Sequence, residues 1–404
     1  MLAMGQAARE AAHALRTSDA STRTAAISAM ARQIRAHASA IVEANAEDVA
    51  RATGLIDRLR LDADRVEAMA RAIDEVAALP DPVGVETERW QRPNGLDIAR
   101  VRTPIGVIGM IYESRPNVTA DAAAICVRSG NAVILRSGSE ALASARAIHS
   151  AIADGLAEAG LPRETVQLVP TGDREAVGLL LEGLGGTVDL IIPRGGRSLV
   201  ERVARDARVA TLGHLEGVCH TYVHASADPD MAVSIVRNAK MRRVSICGAT
   251  ETLMIDRSAA PDLLPRIAAA LDGCELRGDE ESRRHAAMSP ATEEDWTAEY
   301  LAPILAVRTV EGPDAAIDHI ERYGTGHTEA IVAEDPAAAE YFLNRVDSAI
   351  VIWNASTQFA DGGEFGFGAE IGIATGKMHA RGPVGPEQLT SFHYLVRGTG
   401  QVRP

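Results

Sequence analysis

The sequence predicts an α/β protein built around a doubly wound parallel sheet. Short apolar segments alternate with amphipathic stretches from about 105 to 225, and a second alternation begins near 229. The turns after the apolar segments are rich in Gly, Ser and Arg. Short strands separated by helices are typical of βαβ units, in which helices cover both faces of a parallel sheet.

The composition is that of a globular enzyme with two domains. The chain has 404 residues, of which 46% are hydrophobic, 24% are charged and only 3% are aromatic. The 41 Lys and Arg residues against 55 Asp and Glu residues give a net charge of −14. We expect neither a nucleic acid nor an anionic membrane as a partner, because such binding depends on cations that neutralise phosphates. No apolar window of about 18 residues predicts a membrane span.

Four cysteines are spread widely along the chain: Cys126, Cys219, Cys247 and Cys274. No CxxC pair and no Cys/His grouping with the spacing of metal ligands is present, so we expect neither a disulfide framework nor a metal site. The N-terminal segment carries charges throughout and does not resemble a signal peptide. A reduced, cytoplasmic setting is therefore expected.

The pattern along the chain predicts the elements in order. Residues 1–80 are Ala-rich with apolar residues at helical spacing, which predicts several helices ending at Pro80-Asp81-Pro82. The turn signal Pro93-Asn94-Gly95 predicts a hairpin at about 88–102. The first alternation predicts strands at 106–112, 132–136, 165–170 and 187–193, with helices at 118–129, 139–159, 173–183 and 196–206.

The second alternation predicts a further α/β domain. It gives helices at 229–240 and 261–271, and strands at 251–256, 303–308, 329–333 and 349–353. The chain is thus divided into 1–225, 226–355 and 356–404, and the last part holds the extended segment SFHYLVRG. A terminal strand of this kind usually pairs with another strand, and pairing with a second subunit is one hypothesis.

Polar loops follow four strands of the predicted first sheet. They are Glu113–Asn117, Arg136–Ser139, Thr171–Asp173 and Arg194–Gly196. The carboxyl ends of parallel strands form the ligand edge of a sheet, and this composition suits a phosphate-bearing ligand. Neither GxGxxG nor a Walker A motif is present, so a dinucleotide would need a different phosphate loop.

Cys247 has the context of a nucleophile. It follows a predicted helix and stands near Lys240, Arg242 and Arg243, whose charges would stabilise a thiolate. The alternative is a small buried residue that only packs. The stretch with His214 and Glu216 could similarly hold a proton-transfer group or be an ordinary polar loop. Lys240, Arg242 and Arg115 are candidate contacts for an anionic substrate.

Taken together, these segments resemble the gamma-glutamyl phosphate reductases, a branch of the aldehyde dehydrogenase superfamily. The resemblance is carried by TPIGVIGMIYESRPNVT, NAVILRSGSEA, VPTGDREAV, IIPRGGRSLV, HLEGVCH, NAK with the following cysteine and ETL, EFGFGAEIG, and HARGPVGPEQLTSFHY. It implies a nucleotide-binding domain at 1–225, a catalytic domain at 226–355 and a return segment at 356–404. The hairpin near 88–102 and the C-terminal strand would form an oligomerisation element, so a homo-oligomer is expected.

The resemblance also implies a reaction. The family reduces L-glutamyl 5-phosphate to L-glutamate 5-semialdehyde with NADPH and releases phosphate, in proline biosynthesis. Cys247 falls where the family has its nucleophile, and Asn117 is the candidate side-chain amide for the oxyanion. Gly248 replaces the asparagine that commonly follows the cysteine.

His214 stands where hydrolytic aldehyde dehydrogenases have a glutamate base. Transfer of an acyl group to and from phosphate needs no activated water, so this difference favours the phosphate-dependent branch. A hydrolytic NAD(P)-dependent semialdehyde dehydrogenase is the alternative.

The resemblance places the cofactor on three segments. Arg136 and Ser139, with Ser137 and Gly138 between them, replace a Lys and Glu pair that NAD-dependent relatives use at the adenosine ribose. A cation with a small hydroxyl tolerates a 2′-phosphate, so NADPH is expected. The other expected contacts are Arg194, Gly195, Gly196 and Ser198 at the phosphates and Glu299 at the nicotinamide ribose.

Overall fold

The computed structural model describes residues 1–52, 56–213, 216–368 and 370–403. Its contacts divide the chain into two compact units. The first comprises Met1–Gly213, Gly366–Gly372 and Val384–Pro404, and the second comprises His214–Phe365 and Ile373–Pro383. The first unit thus ends before residue 225, because the strand that follows pairs within the second sheet.

The N-terminal part is helical, as the sequence predicts. Its helices are α1 (Leu2–Thr17), α2 (Ala20–Ala36), α3 (Ala38–Arg51), α4 (Ile56–Leu59) and α5 (Ala63–Ala78). Asp19 caps α2 by accepting from the Thr22 amide, and Asp62 caps α5 by accepting from the Arg65 amide. A side-chain acceptor at this position satisfies an amide that has no partner inside the helix.

A small antiparallel sheet follows. β1 (Glu86–Gln91) and β2 (Asp97–Pro104) form the predicted hairpin, with Trp90 opposite Ile98. The C-terminal strand (Thr390–Arg397) pairs along the other side of β2. The terminal segment therefore pairs with its own chain and forms one edge of this sheet.

The main sheet of the first unit is parallel and doubly wound. Its strands are β3 (Val107–Tyr112), β4 (Ala132–Ser137), β5 (Val166–Leu168), β6 (Leu190–Arg194) and β7 (Ala210–Thr211), in the order β5-β4-β3-β6-β7. Its helices are α6 (Val118–Arg128), α7 (Leu142–Glu158), α8 (Arg174–Leu181) and α9 (Arg197–Asp206). From β3 the chain adds β4 and β5 on one side of the sheet and then β6 and β7 on the other. Ligands of such sheets bind outside the carboxyl ends of the strands at this switch point, between β3 and β6.

The second unit contains another parallel sheet. Its elements are β8 (Cys219–Val223), α10 (Pro229–Met241), β9 (Thr250–Asp256), α11 (Ala260–Ala270), β10 (Glu275–Gly278), β11 (Ser289–Pro290), β12 (Ile304–Val310), α12 (Gly312–Tyr323), β13 (Thr328–Val332), α13 (Pro336–Arg345) and β14 (Ile350–Trp353). The strand order is β11-β10-β12-β9-β8-β13-β14, and β15 (Ile373–Ala374) pairs separately with β16 (Gly382–Pro383). The predicted alternation is confirmed. The strands β8, β10, β11, β15 and β16 are additional to those that the pattern predicts.

Small aliphatic side chains build the core of each unit. Val107, Ile134 and Leu180 are buried in the first unit, and Leu253 and Val307 are buried in the second. Among the described helices, none combines the length and apolarity that crossing a bilayer requires.

Asp48 gives a test of the first unit's packing. This residue of α3 is 1% exposed and accepts from the Ser144 amide at 2.7 Å and the Ser144 hydroxyl at 2.6 Å, at the first turn of α7. We expect Asp48→Ala to lower the free energy of unfolding by about 3 kcal/mol, because it leaves buried donors without an acceptor. Urea unfolding measures this, and Asp48→Asn, which keeps an oxygen, should cost less.

Candidate active site

Cys247 lies in the loop that joins α10 to β9. The residue is half-buried and packs against a small apolar cluster formed by Ile350, Ala360 and Ile373. The loop stands at the amino end of a central strand of the second sheet. A partly accessible cysteine on a loop can reach a substrate, which a cysteine inside a core helix cannot.

The backbone of Cys247 is held closely by the segment before β8. A Cβ atom on Gly217 would lie 2.3 Å from the Cys247 carbonyl oxygen and 2.7 Å from its Cβ atom, so only glycine fits there. The Cys219 thiol donates to the same carbonyl oxygen at 3.0 Å. This contact joins residues 28 positions apart in the chain, so no local sequence pattern predicts it.

The other three thiols are unsuited to nucleophilic attack. Burial raises the pKa of Cys274 to about 11, and it raises the pKa values of Cys126 and Cys219 further above the usual range for a thiol. Cys126 lies fully buried in α6. A thiol with a raised pKa stays protonated at neutral pH and attacks slowly.

The cations before Cys247 do not act together. Lys240 is fully buried in an ion pair with Glu251, so the expectation that it contacts an anionic substrate is wrong. A buried ammonium needs such a partner, because desolvating an unpaired charge is very unfavourable. Arg242 is exposed, and its guanidinium donates to the Gln358 side-chain oxygen at 3.3 Å.

Glu299 lies close to the Cys247 segment. Its carboxylate accepts a hydrogen bond from the Gly217 amide at 3.1 Å. The 3₁₀ turn Glu293–Thr297 precedes it and is closed by Asp295, which also accepts from Tyr300 at 2.7 Å and Arg277 at 2.9 Å. Burial alone would raise the pKa of Asp295, but its hydrogen bonds outweigh burial and lower that pKa to about 2.

Gly248 has a local explanation. A Cβ atom at this position would lie 3.1 Å from the Thr357 carbonyl oxygen, which is closer than nearly all such contacts. A larger residue here would require the Thr357 backbone to move slightly.

In the first unit, the predicted phosphate loops meet at the carboxyl edge of the sheet. The Gly196 amide, at the start of α9, donates to the Glu113 carboxylate at 3.2 Å. Glu140 accepts from the Ser114 amide at 2.7 Å and from its hydroxyl at 3.0 Å. The Glu140 carboxylate is therefore already hydrogen-bonded to Ser114, just after β3.

Arg136 is 6% exposed and holds the loop before α8. It donates to the carbonyl oxygens of Gly172 at 2.5 Å and Asp173 at 3.2 Å. Burial lowers the pKa of its guanidinium, although Glu140 and Glu113 oppose the shift. Arginine nevertheless stays charged at neutral pH.

The expected cofactor residues include both exposed and buried groups. Ser139, Gly195, Gly196 and Ser198 are exposed, whereas Ser137 and Gly138 are buried. The Nε atoms of Arg136 and Arg194 are buried and have no hydrogen-bond partner among the described residues. Two unsatisfied donors on strands that flank β3, beside an exposed glycine pair, fit an anionic ligand such as a dinucleotide phosphate.

Asn117 lies at the start of α6, in the first unit. Its side-chain amide donates to the Asp121 carboxylate at 2.8 Å, and burial raises the pKa of Asp121 to about 6. His214, the other expected catalytic residue, lies outside the described residues. Within the described part of the chain, no group of His, Cys, Asp and Glu could hold a metal ion.

Comparison with known proteins places the chain in a family. Residues 2–295 match the aldehyde dehydrogenase family model. The gamma-glutamyl phosphate reductase of Caulobacter sp. strain K31 is 64% identical, over 100% of this chain and 99% of that protein. The crystal structure of the gamma-glutamyl phosphate reductase from Thermotoga maritima superposes with a TM-score of 0.96 at 42% identity, covering 100% of this chain and 99% of that chain.

More distant structures share the fold alone. The glyceraldehyde-3-phosphate dehydrogenase from Methanocaldococcus jannaschii, solved with NADP, has a TM-score of 0.72 at 16% identity, over 98% of this chain and 93% of that one. The chain therefore belongs to the gamma-glutamyl phosphate reductases of the aldehyde dehydrogenase family.

Proposed function

We propose that this protein reduces L-glutamyl 5-phosphate to L-glutamate 5-semialdehyde, with NADPH as the reductant, in L-proline biosynthesis. The family to which it belongs supports the substrate. The observation that carries the chemistry is the half-buried Cys247, whose backbone is fixed by Gly217 and Cys219. Its three companion thiols have pKa values raised by burial.

Cys247 acts as the nucleophile. Its thiolate attacks the acyl carbon of the substrate, a C–S bond forms, and the C–O bond to phosphate breaks with departure of inorganic phosphate. Backbone N–H groups near Cys247 and the Asn117 amide stabilise the oxyanion. One N–H of the Asn117 amide donates to Asp121, and its second N–H is the donor proposed for the oxyanion.

Most of the residues assigned to the cofactor belong to the first unit, and Glu299 belongs to the second. Arg136, Arg194 and the glycine pair at 195–196 hold its phosphates, Ser139 lies at its adenosine ribose, and Glu299 holds its nicotinamide ribose. When bound there, the dinucleotide would supply a hydride to the acyl carbon of the Cys247 thioester. Cleavage of the C–S bond then releases the semialdehyde and returns Cys247 to the free thiol. The chain's own part is to retain the acyl group on Cys247 until that reduction has occurred.

Phosphate dependence tests the reaction. We expect NADPH oxidation with glutamyl phosphate generated in situ, and NADP⁺ reduction from semialdehyde only when inorganic phosphate is present. Phosphate-independent oxidation of the semialdehyde would instead identify a hydrolytic enzyme. Failure of both directions, in an assay where the Thermotoga maritima enzyme turns over, would contradict the proposal.

Ser139 tests the preference for NADPH. We expect Ser139→Glu to weaken NADPH binding by about 30-fold and NADH binding much less, because a carboxylate repels the 2′-phosphate. Titration of the nicotinamide fluorescence measures both affinities. Ser150→Glu, on an exposed part of α7, adds the same charge away from the strand ends and should leave both affinities unchanged.

The C-terminal strand supports a homo-oligomer. It is an edge strand whose residues from Ser391 onward are exposed, including Phe392 at 51% and Val396 at 55%. Alternate residues share a face, so Phe392, Tyr394 and Val396 form an apolar surface with Trp90, whose ring contacts Tyr394. An exposed apolar edge strand of this kind pairs readily with a second copy.

Substitution on that face tests the interface. We expect Phe392→Glu combined with Val396→Glu to convert the oligomer to a monomer in light scattering. His393→Glu lies on the opposite face of the same strand and should leave the mass unchanged. A wild-type monomer would contradict this part of the proposal.

A further inference from the structure

A buried ion pair joins the two elements on either side of the loop that carries Cys247. Lys240 lies in the last turn of α10, and Glu251 is the second residue of β9. Both side chains are 0% exposed and are paired with each other. The two ends of the 242–249 loop are therefore joined by one charged contact.

The same pair reaches the segment that carries Glu299. The second carboxylate oxygen of Glu251 accepts from the Leu301 amide at 3.4 Å, and the Lys240 ammonium lies 5.6 Å from the centre of the Tyr300 ring. Leu301 has a φ of +50°, a left-handed conformation that residues other than glycine rarely adopt. A contact that holds this backbone therefore fixes an otherwise unfavourable conformation.

The Glu299 segment is also connected to the Cys247 loop by a contact of its own. The 299–301 segment returns to the Cys247 loop through the hydrogen bond between the Glu299 carboxylate and the Gly217 amide. Gly217 in turn packs directly on the Cys247 backbone. Movement of the ion pair would thus displace both the nucleophile and the carboxylate assigned to the nicotinamide ribose.

Stability alone does not explain the pair. Burial raises the pKa of Glu251, with Lys240 opposing the shift, so the carboxylate is in an unfavourable environment. Replacing a buried ion pair by apolar side chains of similar volume is often neutral or stabilising. A charged pair at this position is better explained by the geometry that it imposes than by the energy that it contributes.

We infer that Lys240 and Glu251 are positioning residues for the reductase site, which set the conformation of the Cys247 loop and of the Glu299 segment together. Both side chains are fully buried, so they act only through the segments that they hold. The inference rests on the proposed function for the roles of Cys247 and Glu299. It identifies Lys240 as a residue that acts through its buried partner.

Two double variants test the inference. The variant Lys240→Met with Glu251→Leu removes the pair and the acceptor for the Leu301 amide. The variant Lys240→Met with Glu251→Gln removes the charges but keeps an oxygen for that amide. The measurements are kcat, KM for NADPH, the thermal midpoint, and the rate at which iodoacetamide alkylates Cys247, followed by peptide mass spectrometry.

We expect the leucine variant to keep or raise its thermal midpoint. Its kcat should fall at least tenfold, its KM for NADPH should rise, and its Cys247 alkylation rate should change at least fivefold. The glutamine variant keeps an acceptor for the Leu301 amide but lacks the ion pair. Its kcat should therefore be at least threefold higher than that of the leucine variant, while its Cys247 alkylation rate should still differ at least threefold from the wild-type rate. A leucine variant with wild-type kcat and alkylation rate would overturn the inference, and so would a glutamine variant no better than it.

The alkylation rates test the inference even if the leucine variant does not fold or the wild type is inactive. If the leucine variant does not fold, the glutamine variant is compared with wild type: a threefold change in alkylation supports the inference, and an equal rate overturns it. If the wild type fails to reduce glutamyl phosphate, the proposed function fails, whereas the alkylation rates still report the geometry of the loop.

A second buried ion pair serves as the matched control. Arg23 and Asp81 pair within the first unit, with side chains 3% and 9% exposed. Arg23→Met with Asp81→Leu should leave Cys247 alkylation at the wild-type rate, even if the thermal midpoint changes.

Discussion

Replacing Cys247 by alanine should reduce turnover by at least about 10⁴-fold, because the proposed reaction proceeds through a covalent bond to this sulfur. The variant should bind NADPH with wild-type affinity, since the assigned phosphate loops lie in the first unit and Cys247 lies in the second. Steady-state assays and nicotinamide fluorescence measure the two properties. Turnover within tenfold of wild type would remove Cys247 from the mechanism.

Alanine at Cys274 is the matched control. Cys274 is also a partly buried cysteine of the second unit, and burial raises its pKa to about 11. Cys274→Ala should therefore retain wild-type turnover. Iodoacetamide should inactivate the wild type and the Cys274→Ala variant at similar rates, while the bound label is found on Cys247.

The arrangement of strands and helices could be predicted because its signals are local. Apolar runs such as that of β3, with Val107 to Tyr112 all buried, stand out against the helices between them. The boundary between the two units was harder to predict from the sequence. β8 follows the first alternation without a break in pattern, and its pairing with β9 and β13 assigns it to the second sheet.

For the candidate site, the sequence predicts Cys247 as the nucleophile from its loop and from the family resemblance, and the structure places it half-buried in the loop before β9. The directions of the side chains could not be predicted. Three cations precede the cysteine in sequence, and the structure shows that Lys240 points inward to Glu251. Likewise, the sequence predicts that Arg136 contacts the cofactor, yet its guanidinium donates hydrogen bonds to the carbonyl oxygens of Gly172 and Asp173.

Contacts between distant segments had no sequence signal at all. The hydrogen bond from the Cys219 thiol to Cys247 joins residues 28 positions apart. The close approach of Gly217 to the same residue depends on the parallel pairing of β8 with β9, which brings the starts of both strands together. Gly217 could be noted as a glycine in a candidate motif, but its steric role follows only from the fold.

That role gives the second large effect: Gly217→Ala should lower kcat by about 100-fold while the protein stays folded. The added methyl would lie 2.3 Å from the Cys247 carbonyl oxygen and 2.8 Å from its Cα atom. Backbone atoms cannot rotate away as a flexible side chain can, so the nucleophile loop must shift. A displacement of about 1 Å at a reacting group costs about 100-fold in rate.

Gly376→Ala separates this effect from a general intolerance of glycine substitution. A Cβ atom at Gly376, also in the second unit, would meet nothing within 4 Å. It should therefore retain wild-type kcat. In Gly217→Ala, the hydrogen bond from the residue 217 amide to Glu299 should also weaken, so KM for NADPH should rise together with the fall in kcat. Wild-type kcat in Gly217→Ala would show that the loop can absorb the methyl without moving Cys247, and the argument that backbone packing positions the nucleophile would then fail.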